Sequence, residues 1–459
     1  MRISRRELLL GTGLSAAAAQ RPGPPPARPS ILLILADDLA AWMLGCYGNQ
    51  EIKTPNIDLL ARSGVRFQNS FVNTPICSAS RATLFTGRLP RQHGIHDFLT
   101  ANPIEKPPQG QAAPPASFQQ EVMLSDLLAK AGYNCGYAGK WHMGDDATPQ
   151  RGFRFWYTIG GRTYLDPEVS WNGQRVKESG YLTELLTRKA IEFLDLQTPG
   201  QPFFLVASYL NPHVPYDGHP DKYYRMYENT RFDTIGWEPA APHALREKEL
   251  LSDMVGNARK CAASVSALDD QIPALLRKLE ERKLRDDTLV IFTADNGFLL
   301  GRHGLWSKGL ASDPINMYEE VMRVPMIWSW RGRTPVETVR PEFVTFCDFF
   351  PSVCEAAGVS PPANRNLSGR SYLPLVLNRP MPKTPPWKNL VFGHFRNTEM
   401  ARDQRFKLVL RDEGGGPNEL FDLRSDPREK TNLYGNPQYL TVRDALRGEL
   451  ERWRSRYKA

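Results

Sequence analysis

The sequence predicts an α/β protein: a large central, mostly parallel sheet flanked by helices, followed by a smaller C-terminal antiparallel sheet with a helix. Short, continuous apolar runs such as residues 31–35 are typical of strands that are buried on both faces of a parallel sheet. Helical patterns such as residues 182–196 separate these runs, so strands alternate with helices along the chain. After the proline-rich stretch 361–387, short strand patterns replace the long runs.

The predicted elements follow one another in a simple order. The strands of the large sheet are predicted at residues 31–35, 203–207, 289–292 and 324–327, with helices at 121–131, 182–196 and 262–281. The small sheet is predicted to contain strands 390–395, 406–410 and 419–423, and its helix covers about 442–457. These patterns divide the chain into a large α/β domain, residues 30–385, and a small α+β domain, residues 386–459.

The first residues have the pattern of an export signal. Ser4-Arg5-Arg6 precedes a short apolar run, residues 8–19, which indicates a twin-arginine signal peptide over residues 1–20. The proline-rich residues 21–29 are typical of an extended linker. We therefore expect export through the twin-arginine machinery to the periplasm or the outside of a bacterial cell. The apolar run is too short to span a bilayer core of roughly 30 Å, so no stable membrane insertion is expected.

The composition is that of a globular protein of 459 residues, with 41% hydrophobic and 24% charged residues. A net charge of +8 suits anionic substrates but equally describes a solvated surface. The sequence contains no dense Lys/Arg block interleaved with aromatic residues, which argues against nucleic-acid binding. Six cysteines are widely spread without a C-x-x-C pair, and we expect most of them to be buried thiols.

Oxygen ligands follow two of the predicted strands directly. Asp37 and Asp38 come after strand 31–35, and Asp295 and Asn296 come after strand 289–292. Ligands bind at the carboxyl ends of strands in open α/β sheets. Three carboxylates and an amide without a neighbouring histidine favour Ca²⁺ or Mg²⁺ over zinc. Either dipeptide alone would be explained equally well as a turn after a strand, but the two together predict a metal site.

The segment 77–88, CSASRATLFTGR, is the most informative part of the chain. Ser78 or Ser80 can begin a helix, and the spacing of four places Arg81 on the same helix face as Cys77. A cysteine at a helix N-terminus beside an arginine is expected to be an activated thiolate. The residues themselves therefore predict a reactive position at Cys77.

This segment resembles the signature of the sulfatase family, C-x-[P/A]-S-R-x-x-x-x-T-G, in which the cysteine is oxidised to formylglycine. The segments ILADDL at 34–39, LGCYG at 44–48 and TPNIDLLA at 54–61 are also similar to that family. The resemblance implies conversion of Cys77 by a formylglycine-generating enzyme, and a cation bound by Asp37, Asp38, Asp295 and Asn296 beside residue 77. Ala79 stands where the family usually has proline, a departure that concerns the efficiency of conversion.

Two further segments carry the resemblance. GKWHMG at 139–144 is similar to the family's G-K-W-H-L-G and implies that Lys140 holds the hydrated aldehyde and sulfate, while His142 accepts a proton. A spacing of two places both side chains on one side if the backbone is extended. The segment NPHVP at 211–215 resembles P-H-x-P and implies that His213 contacts sulfate and protonates the leaving oxygen together with Lys308. His303 is a candidate for substrate binding or for a purely structural role.

The sequence thus predicts a sulfuric ester hydrolase acting on a sugar or another small organic sulfate. One alternative is a phosphonate or phosphate monoester hydrolase of the same alkaline phosphatase superfamily. Phosphatases of that superfamily usually bind two zinc ions through histidines, which are absent beside Asp37-Asp38 and Asp295-Asn296. A second alternative is a non-catalytic protein that binds sulfated glycans through a basic pocket.

Overall fold

The computed structural model describes residues 28–99, 113–198, 200–383 and 385–458. The predicted signal peptide and most of the linker lie outside these residues. Within the described residues the large sheet consists of ten strands: β1 Ser30–Asp37, β2 Val65–Phe71, β3 Asn134–Gly139, β4 Phe155–Ile159, β5 Glu168–Trp171, β6 Gln174–Lys177, β7 Phe203–Pro212, β8 Thr288–Ala294, β9 Met326–Trp330 and β10 Thr338–Thr345.

The strand order places β1 near the middle of the sheet. The order is β10-β2-β9-β8-β1-β7-β3-β4-β5-β6, and β1 pairs in parallel with both β7 and β8. All eight residues of β1 are buried, as the continuous apolar run predicted. Because Ala36 lies beside Ala294 in the parallel register, the residues that follow β1 and β8 emerge next to each other.

Helices surround this sheet, and α6 and α8 both pack on β7. Most of the large core is formed by apolar residues of the central strands and of the helices on them. In chain order the helices are α1 Pro55–Arg62, α2 Cys77–Thr86, α3 Pro90–His93, α4 Ala116–Gln119, α5 Leu124–Lys130, α6 Leu182–Asp195, α7 Asp221–Arg225, α8 Met254–Asp269, α9 Ile272–Glu281, α10 Glu319–Met322, α11 Phe346–Ala356, α12 Leu373–Val376 and α13 Leu440–Arg456.

A small antiparallel sheet follows, with strands β11 Val391–Phe395, β12 Thr398–Arg402, β13 Phe406–Arg411 and β14 Glu419–Asp422 in that order. Helix α13 packs on β12 and β13, where Leu446, Leu450 and Trp453 belong to a second apolar cluster. The predicted fold class is therefore confirmed: a large, mostly parallel sheet with helices and a small antiparallel sheet with a helix.

The large sheet contains more strands than the sequence predicted: β1, β7, β8 and β9 correspond to predicted strands, whereas β2 to β6 and β10 do not. Further differences concern one helix, one strand direction and the small sheet. The predicted helix 262–281 is divided into α8 and α9, because Pro273 in the first turn of α9 has no N–H with which to continue a helix. Strand β9 was expected in a parallel arrangement but pairs antiparallel with both β8 and β2. Strand β12 was not predicted. Among the described residues, no helix has the length and apolarity that crossing a membrane requires.

Candidate active site

Four predicted metal ligands meet at the carboxyl ends of β1 and β8. The Asp38 main-chain N–H donates to Asp295 Oδ1 at 3.2 Å, and Asn296 Nδ2 donates to Asp38 Oδ1 at 2.7 Å. All four side chains are buried. The neighbouring parallel strands thus bring together two dipeptides that lie more than 250 residues apart in the sequence.

Cys77 lies beside this cluster as the first residue of α2. Its Sγ is 3.6 Å from Asp37 Oδ1 and 2.8 Å from Lys308 Nζ. Ligand atoms of Asp37, Asp38, Cys77 and Asp295 all lie within 4.8 Å of one another. Among the described residues, two further oxygens, Asp38 Oδ2 and Asn296 Oδ1, are buried without a hydrogen-bond partner. Clustered carboxylate and amide oxygens with unused lone pairs fit a hard cation such as Ca²⁺ or Mg²⁺.

Helix α2 is fixed to the rest of the site by its serines. The helix begins at Cys77 itself, earlier than a start at Ser78 or Ser80 would place it. Ser78 Oγ accepts a hydrogen bond from the main-chain N–H of Leu99 at 2.9 Å, and Ser80 Oγ donates to the carbonyl of Asp295. All ten residues of α2 are buried. The two serines therefore hold the helix in place without capping it.

The charge state of the Cys77 thiol contradicts the inference of an activated thiolate. Burial raises the pKa of Cys77 to about 12, and the nearby Lys140 and Lys308 offset only part of this effect. The unmodified side chain is therefore a protonated thiol at neutral pH. Arg81 bonds to Asp295, Ser208 and the carbonyl of Lys140 rather than to Cys77.

Arg81 is completely buried and contacts the carboxylates rather than open space. Its Nε donates to Asp295 Oδ2 at 2.8 Å, and its Nη2 lies 3.8 Å from Asp37 Oδ2. Nη1 donates to the carbonyl of Lys140 at 2.6 Å and to Ser208 Oγ at 2.9 Å. The side chain thus connects β8, β1 and the end of β3, and it orients the carboxylates beside Cys77.

Two lysines complete the charge balance of the site. Lys140 forms an ion pair with Asp37, and Lys308 forms one with Asp38; both lysines are almost fully buried. Burial alone would raise the pKa of Asp37, but Lys140, His213 and Arg81 hold it well below the usual range. With Arg81, the three cationic side chains match the three carboxylates Asp37, Asp38 and Asp295.

His213 and His142 lie at the edge of this charged cluster. His213 Nε2 is 3.7 Å from Asp38 Oδ2, and its Nδ1 is 2.5 Å from the carbonyl oxygen of Val214. Burial, followed by Lys140, lowers the pKa of His213 to about 4. The backbone at His142 is not extended, since φ is 57°, so the condition under which the spacing of two places Lys140 and His142 on one side is not met. Burial, followed by Lys140 and Arg81, lowers the pKa of His142 well below its usual value.

His142 has one engaged and one unengaged ring nitrogen. Nε2 lies 2.8 Å from the carbonyl oxygen of Leu99, which makes it the protonated nitrogen of the neutral ring. Nδ1 is buried and has no hydrogen-bond partner among the described residues. The geometry therefore leaves a free lone pair on Nδ1.

His303 has a different environment from the other predicted site residues. Its ring stacks on Tyr318 with centroids 3.8 Å apart, and Nε2 is 3.2 Å from Glu320 Oε2.

Sequence reasoning missed one further residue near the site, Glu247, whose pKa is raised to about 7 by burial and by Asp38. The Glu247 Oε2 atom is buried without a hydrogen-bond partner in the described part of the chain. No motif surrounds Glu247 in the sequence, so only the fold reveals it.

Comparisons with known proteins give the site its context. Residues 29–359 match the sulfatase family, and residues 301–456 match the C-terminal family described as N-sulphoglucosamine sulphohydrolase. An N-acetylglucosamine-6-O-sulfatase of Bacteroides thetaiotaomicron is 26% identical and aligns with 94% of this chain and 87% of that protein. The human N-acetylgalactosamine-6-sulfatase is 29% identical, over 80% of this chain and 68% of its own length.

Solved structures agree in fold. One of these structures is a protein in complex with its substrate, D-glucosamine-2-N,6-O-disulfate. It superimposes on this chain with a TM-score of 0.79 at 24% identity, covering 94% of this chain and 98% of the other. The phosphonate monoester hydrolase of Agrobacterium radiobacter reaches a TM-score of 0.70 at 21% identity, covering 94% and 96%. These two likenesses describe the fold alone, whereas the family match covers most of the chain and includes every residue of the Cys77 cluster. The chain belongs to the sulfatase family, and it is a sulfuric ester hydrolase.

Proposed function

We propose that this enzyme hydrolyses a sulfate ester on a sugar, with formylglycine at position 77 as the nucleophile and one divalent cation, Ca²⁺ or Mg²⁺, beside it. The observation that carries this proposal is the position of Cys77 Sγ, between Asp37 Oδ1 at 3.6 Å and Lys308 Nζ at 2.8 Å. A nucleophile there meets both the oxygen ligands and an ammonium group that can bind the anionic ester.

The chemistry of the unmodified thiol supports conversion of Cys77. A buried thiol with a pKa of about 12 is protonated at neutral pH and is a poor nucleophile. Formylglycine supplies a hydrated aldehyde with two hydroxyl groups, one for attack on sulfur and one whose later deprotonation releases sulfate. The Cys77 signature and the family membership support this assignment.

The charge balance supports a cation held by Asp37, Asp38, Asp295 and Asn296. Three carboxylates and three cationic side chains leave the cluster without net formal charge. A divalent cation polarises oxygens of the sulfate group when it is bound, and it adds two positive charges to this balanced cluster. The resulting positive site suits a sulfate monoester, whereas the balanced cluster alone offers an anion little attraction.

Lys308, Lys140 and His213 can then act on the ester itself. Burial tends to lower the pKa of Lys308, but the Asp38 carboxylate raises it well above the usual value, so the ammonium group carries a proton for the leaving oxygen. Lys140, which forms an ion pair with Asp37, is the second ammonium group that can bind the anion. The negative charge of a bound ester raises the pKa of the neighbouring His213, which lets its Nε2 assist protonation of the leaving group.

His142 is suited to accept a proton. Its neutral ring directs Nε2–H to the Leu99 carbonyl and leaves Nδ1 free. We propose that Nδ1 accepts the proton of the hydroxyl group that remains after attack on sulfur. A base with a free, buried lone pair fits this step, because proton removal is what releases sulfate and restores the aldehyde.

Sugar sulfates are the substrate class that the relatives favour. The curated relatives include an N-acetylglucosamine-6-O-sulfatase and N-acetylgalactosamine-6-sulfatases. Phosphonate hydrolysis is the second candidate, because a phosphonate monoester hydrolase has the same fold.

The deciding experiment combines mass analysis with a substrate panel. Digestion of the purified protein should yield a peptide in which the Cys77 thiol is replaced by an aldehyde. The same preparation should hydrolyse 4-nitrophenyl sulfate faster than 4-nitrophenyl phosphate or phenyl phosphonate esters, and Cys77→Ala should abolish the activity. Faster phosphonate hydrolysis would favour the second candidate, and full activity with an unconverted thiol would refute the formylglycine assignment.

We further propose that residues 1–20 direct export to the periplasm or the medium through the twin-arginine machinery. The pair Arg5-Arg6 ahead of the apolar run 8–19 supports this assignment. Substituting Lys for both arginines should retain the protein in the cytoplasm. Unchanged export of this variant would contradict the proposal.

A further inference from the structure

A buried hydrogen-bond network surrounds the main chain at His213, on residues that carry no motif. The hydroxyl of Tyr164 donates to the His213 carbonyl oxygen at 2.9 Å, and Tyr164 is only 1% exposed. Tyr164 lies between β4 and β5, and its own carbonyl accepts from the main-chain N–H of Leu182 at 2.8 Å. Tyr164, which binds the His213 carbonyl, is therefore itself held in place by a residue outside the His213 segment.

A second anchor lies two residues earlier. Asn211 is completely buried, and its Oδ1 accepts a hydrogen bond from Thr183 Oγ1 at 2.7 Å. Its Nδ2 donates to the carbonyl of Ser264 at 3.0 Å. The chain is thus fixed at Asn211 by its side chain and at His213 by its carbonyl, so the segment between them has little freedom to shift.

The position of the His213 carbonyl determines where its imidazole faces. Nδ1 is 2.5 Å from the carbonyl oxygen of Val214, the next residue along the chain. The peptide group between His213 and Val214 links the imidazole to this partner, because the Val214 carbonyl belongs to the next peptide group in the chain. If the peptide group between His213 and Val214 shifted, the distance from Nδ1 to the Val214 carbonyl oxygen would change. Because Tyr164 holds that peptide group, it also fixes the direction of Nε2, which faces the Asp38 carboxylate at 3.7 Å.

We propose that Tyr164 is a positioning residue for His213. The hydrogen bond from Tyr164 to the His213 carbonyl orients the imidazole towards the leaving oxygen. The proposal rests on the role in leaving-group protonation assigned to His213 above. Loss of the hydroxyl should leave the site assembled but allow the ring to turn away. The effect should therefore be largest on esters whose leaving groups need a proton.

Tyr164→Phe tests this proposal, because it removes only the hydroxyl group. We expect kcat/KM for phenyl sulfate to fall roughly 10- to 100-fold and kcat/KM for 4-nitrophenyl sulfate to fall less than about threefold, since misdirected proton donors affect poor leaving groups most. Tyr209→Phe is the matched control: Tyr209 is equally buried on β7, and its hydroxyl bonds to Thr187 at 2.8 Å. That variant should show no dependence on the leaving group.

The double variant Tyr164→Phe/His213→Ala separates the proposal from the role of His213. If Tyr164 acts through His213, its substitution should cause no further loss in the His213→Ala background. Additive losses would overturn the proposal, and so would an equal loss of Tyr164→Phe on both esters when His213→Ala itself slows phenyl sulfate more than 4-nitrophenyl sulfate. If His213→Ala itself shows no dependence on the leaving group, the proton-donor role of His213 is wrong. Non-additivity would still then identify Tyr164 as a positioning residue for His213.

Discussion

Replacement of Arg81 by alanine tests the charge balance of the site most directly. Arg81 is completely buried and bonds to Asp295 Oδ2 at 2.8 Å, with Asp37 Oδ2 at 3.8 Å. Without Arg81, the cluster would hold three carboxylates against two lysines. The uncompensated charge would lie in a part of the protein that water does not reach, where such a charge is costly.

The burial of Arg81 determines how much the free energy of unfolding should fall. Removing one partner of a buried ion pair typically lowers the free energy of unfolding by about 3–5 kcal/mol. An unfolding entropy of about 2.1 cal/mol/K per residue gives roughly 1 kcal/mol/K for 459 residues, so Tm should fall by about 3–5 °C. A divalent cation replaces part of the lost positive charge. The loss should therefore be smaller with Ca²⁺ than with a chelator.

Thermal unfolding in excess EDTA and in excess Ca²⁺ measures both effects on the same preparations. Arg285→Ala provides the control, because Arg285 is also buried but bonds to neutral partners, Ser329 Oγ at 2.8 Å and the Thr288 carbonyl at 3.2 Å. Its Tm loss should not depend on Ca²⁺. If the loss in Arg81→Ala were equally independent of Ca²⁺, the carboxylates would not form the cation site, and the proposed charge balance would be refuted.

Three further predictions concern catalysis. Alanine at His213 or Lys308 should slow phenyl sulfate hydrolysis by about 10²–10⁴-fold and 4-nitrophenyl sulfate hydrolysis less; equal losses in kcat/KM would contradict proton donation. Dialysis against EDTA should abolish turnover and Ca²⁺ or Mg²⁺ should restore it, whereas restoration by Zn²⁺ alone would contradict the hard-cation assignment. Burial, followed by Lys140, holds the pKa of His142 well below 6.5, so the ring stays neutral as pH falls through 6.5. A kcat profile with a His142-dependent decline near pH 6.5 would contradict this.

The buried strands were predictable because their environment is uniform. Residues 31–35, 203–207 and 289–292 are apolar throughout, and the corresponding strands β1, β7 and β8 are buried on both faces. Strand direction was not predictable for β9, since a buried run is equally apolar beside parallel or antiparallel neighbours. Strand β12 was missed because Glu399 and Arg402 interrupt its apolar pattern. These two charges are accommodated by ion pairs with Arg91 and Glu319.

Without the family resemblance, the cation site was predictable because its ligands follow strands directly. Asp37 and Asp295 could be paired from sequence because the carboxyl ends of neighbouring parallel strands meet at one edge of the sheet. The thiol pKa of Cys77 could not be predicted, since burial is a property of the whole fold and outweighs the neighbouring cations. Glu247 and Tyr164 have no motif and approach the site through long-range packing. Charge state and positioning contacts therefore depend on the folded structure.

The burial of α2 also restricts when Cys77 can be oxidised. Cys77 is 2% exposed, and every other residue of the helix is buried, including Ala79 at the position where the family usually has proline. The folded protein presents Cys77 neither in an extended segment nor at the surface, so the proposed converting enzyme would have to act on it before α2 forms. We therefore predict that conversion precedes folding and, because twin-arginine export resembles a route for folded proteins, that it also precedes export.

Aldehyde content in two pools tests this order. Exported protein and a version lacking residues 1–20, made in the same cells, should carry formylglycine at equal levels, because both fold in the cytoplasm after conversion. A second arm exposes purified, unconverted protein to the formylglycine-generating enzyme with oxygen, either folded or as a synthetic peptide covering residues 70–90. The peptide should be oxidised and the folded protein should not, since α2 would have to unfold to reach the enzyme. Conversion of the folded protein at the rate of the peptide, or an aldehyde confined to the exported pool, would refute the order.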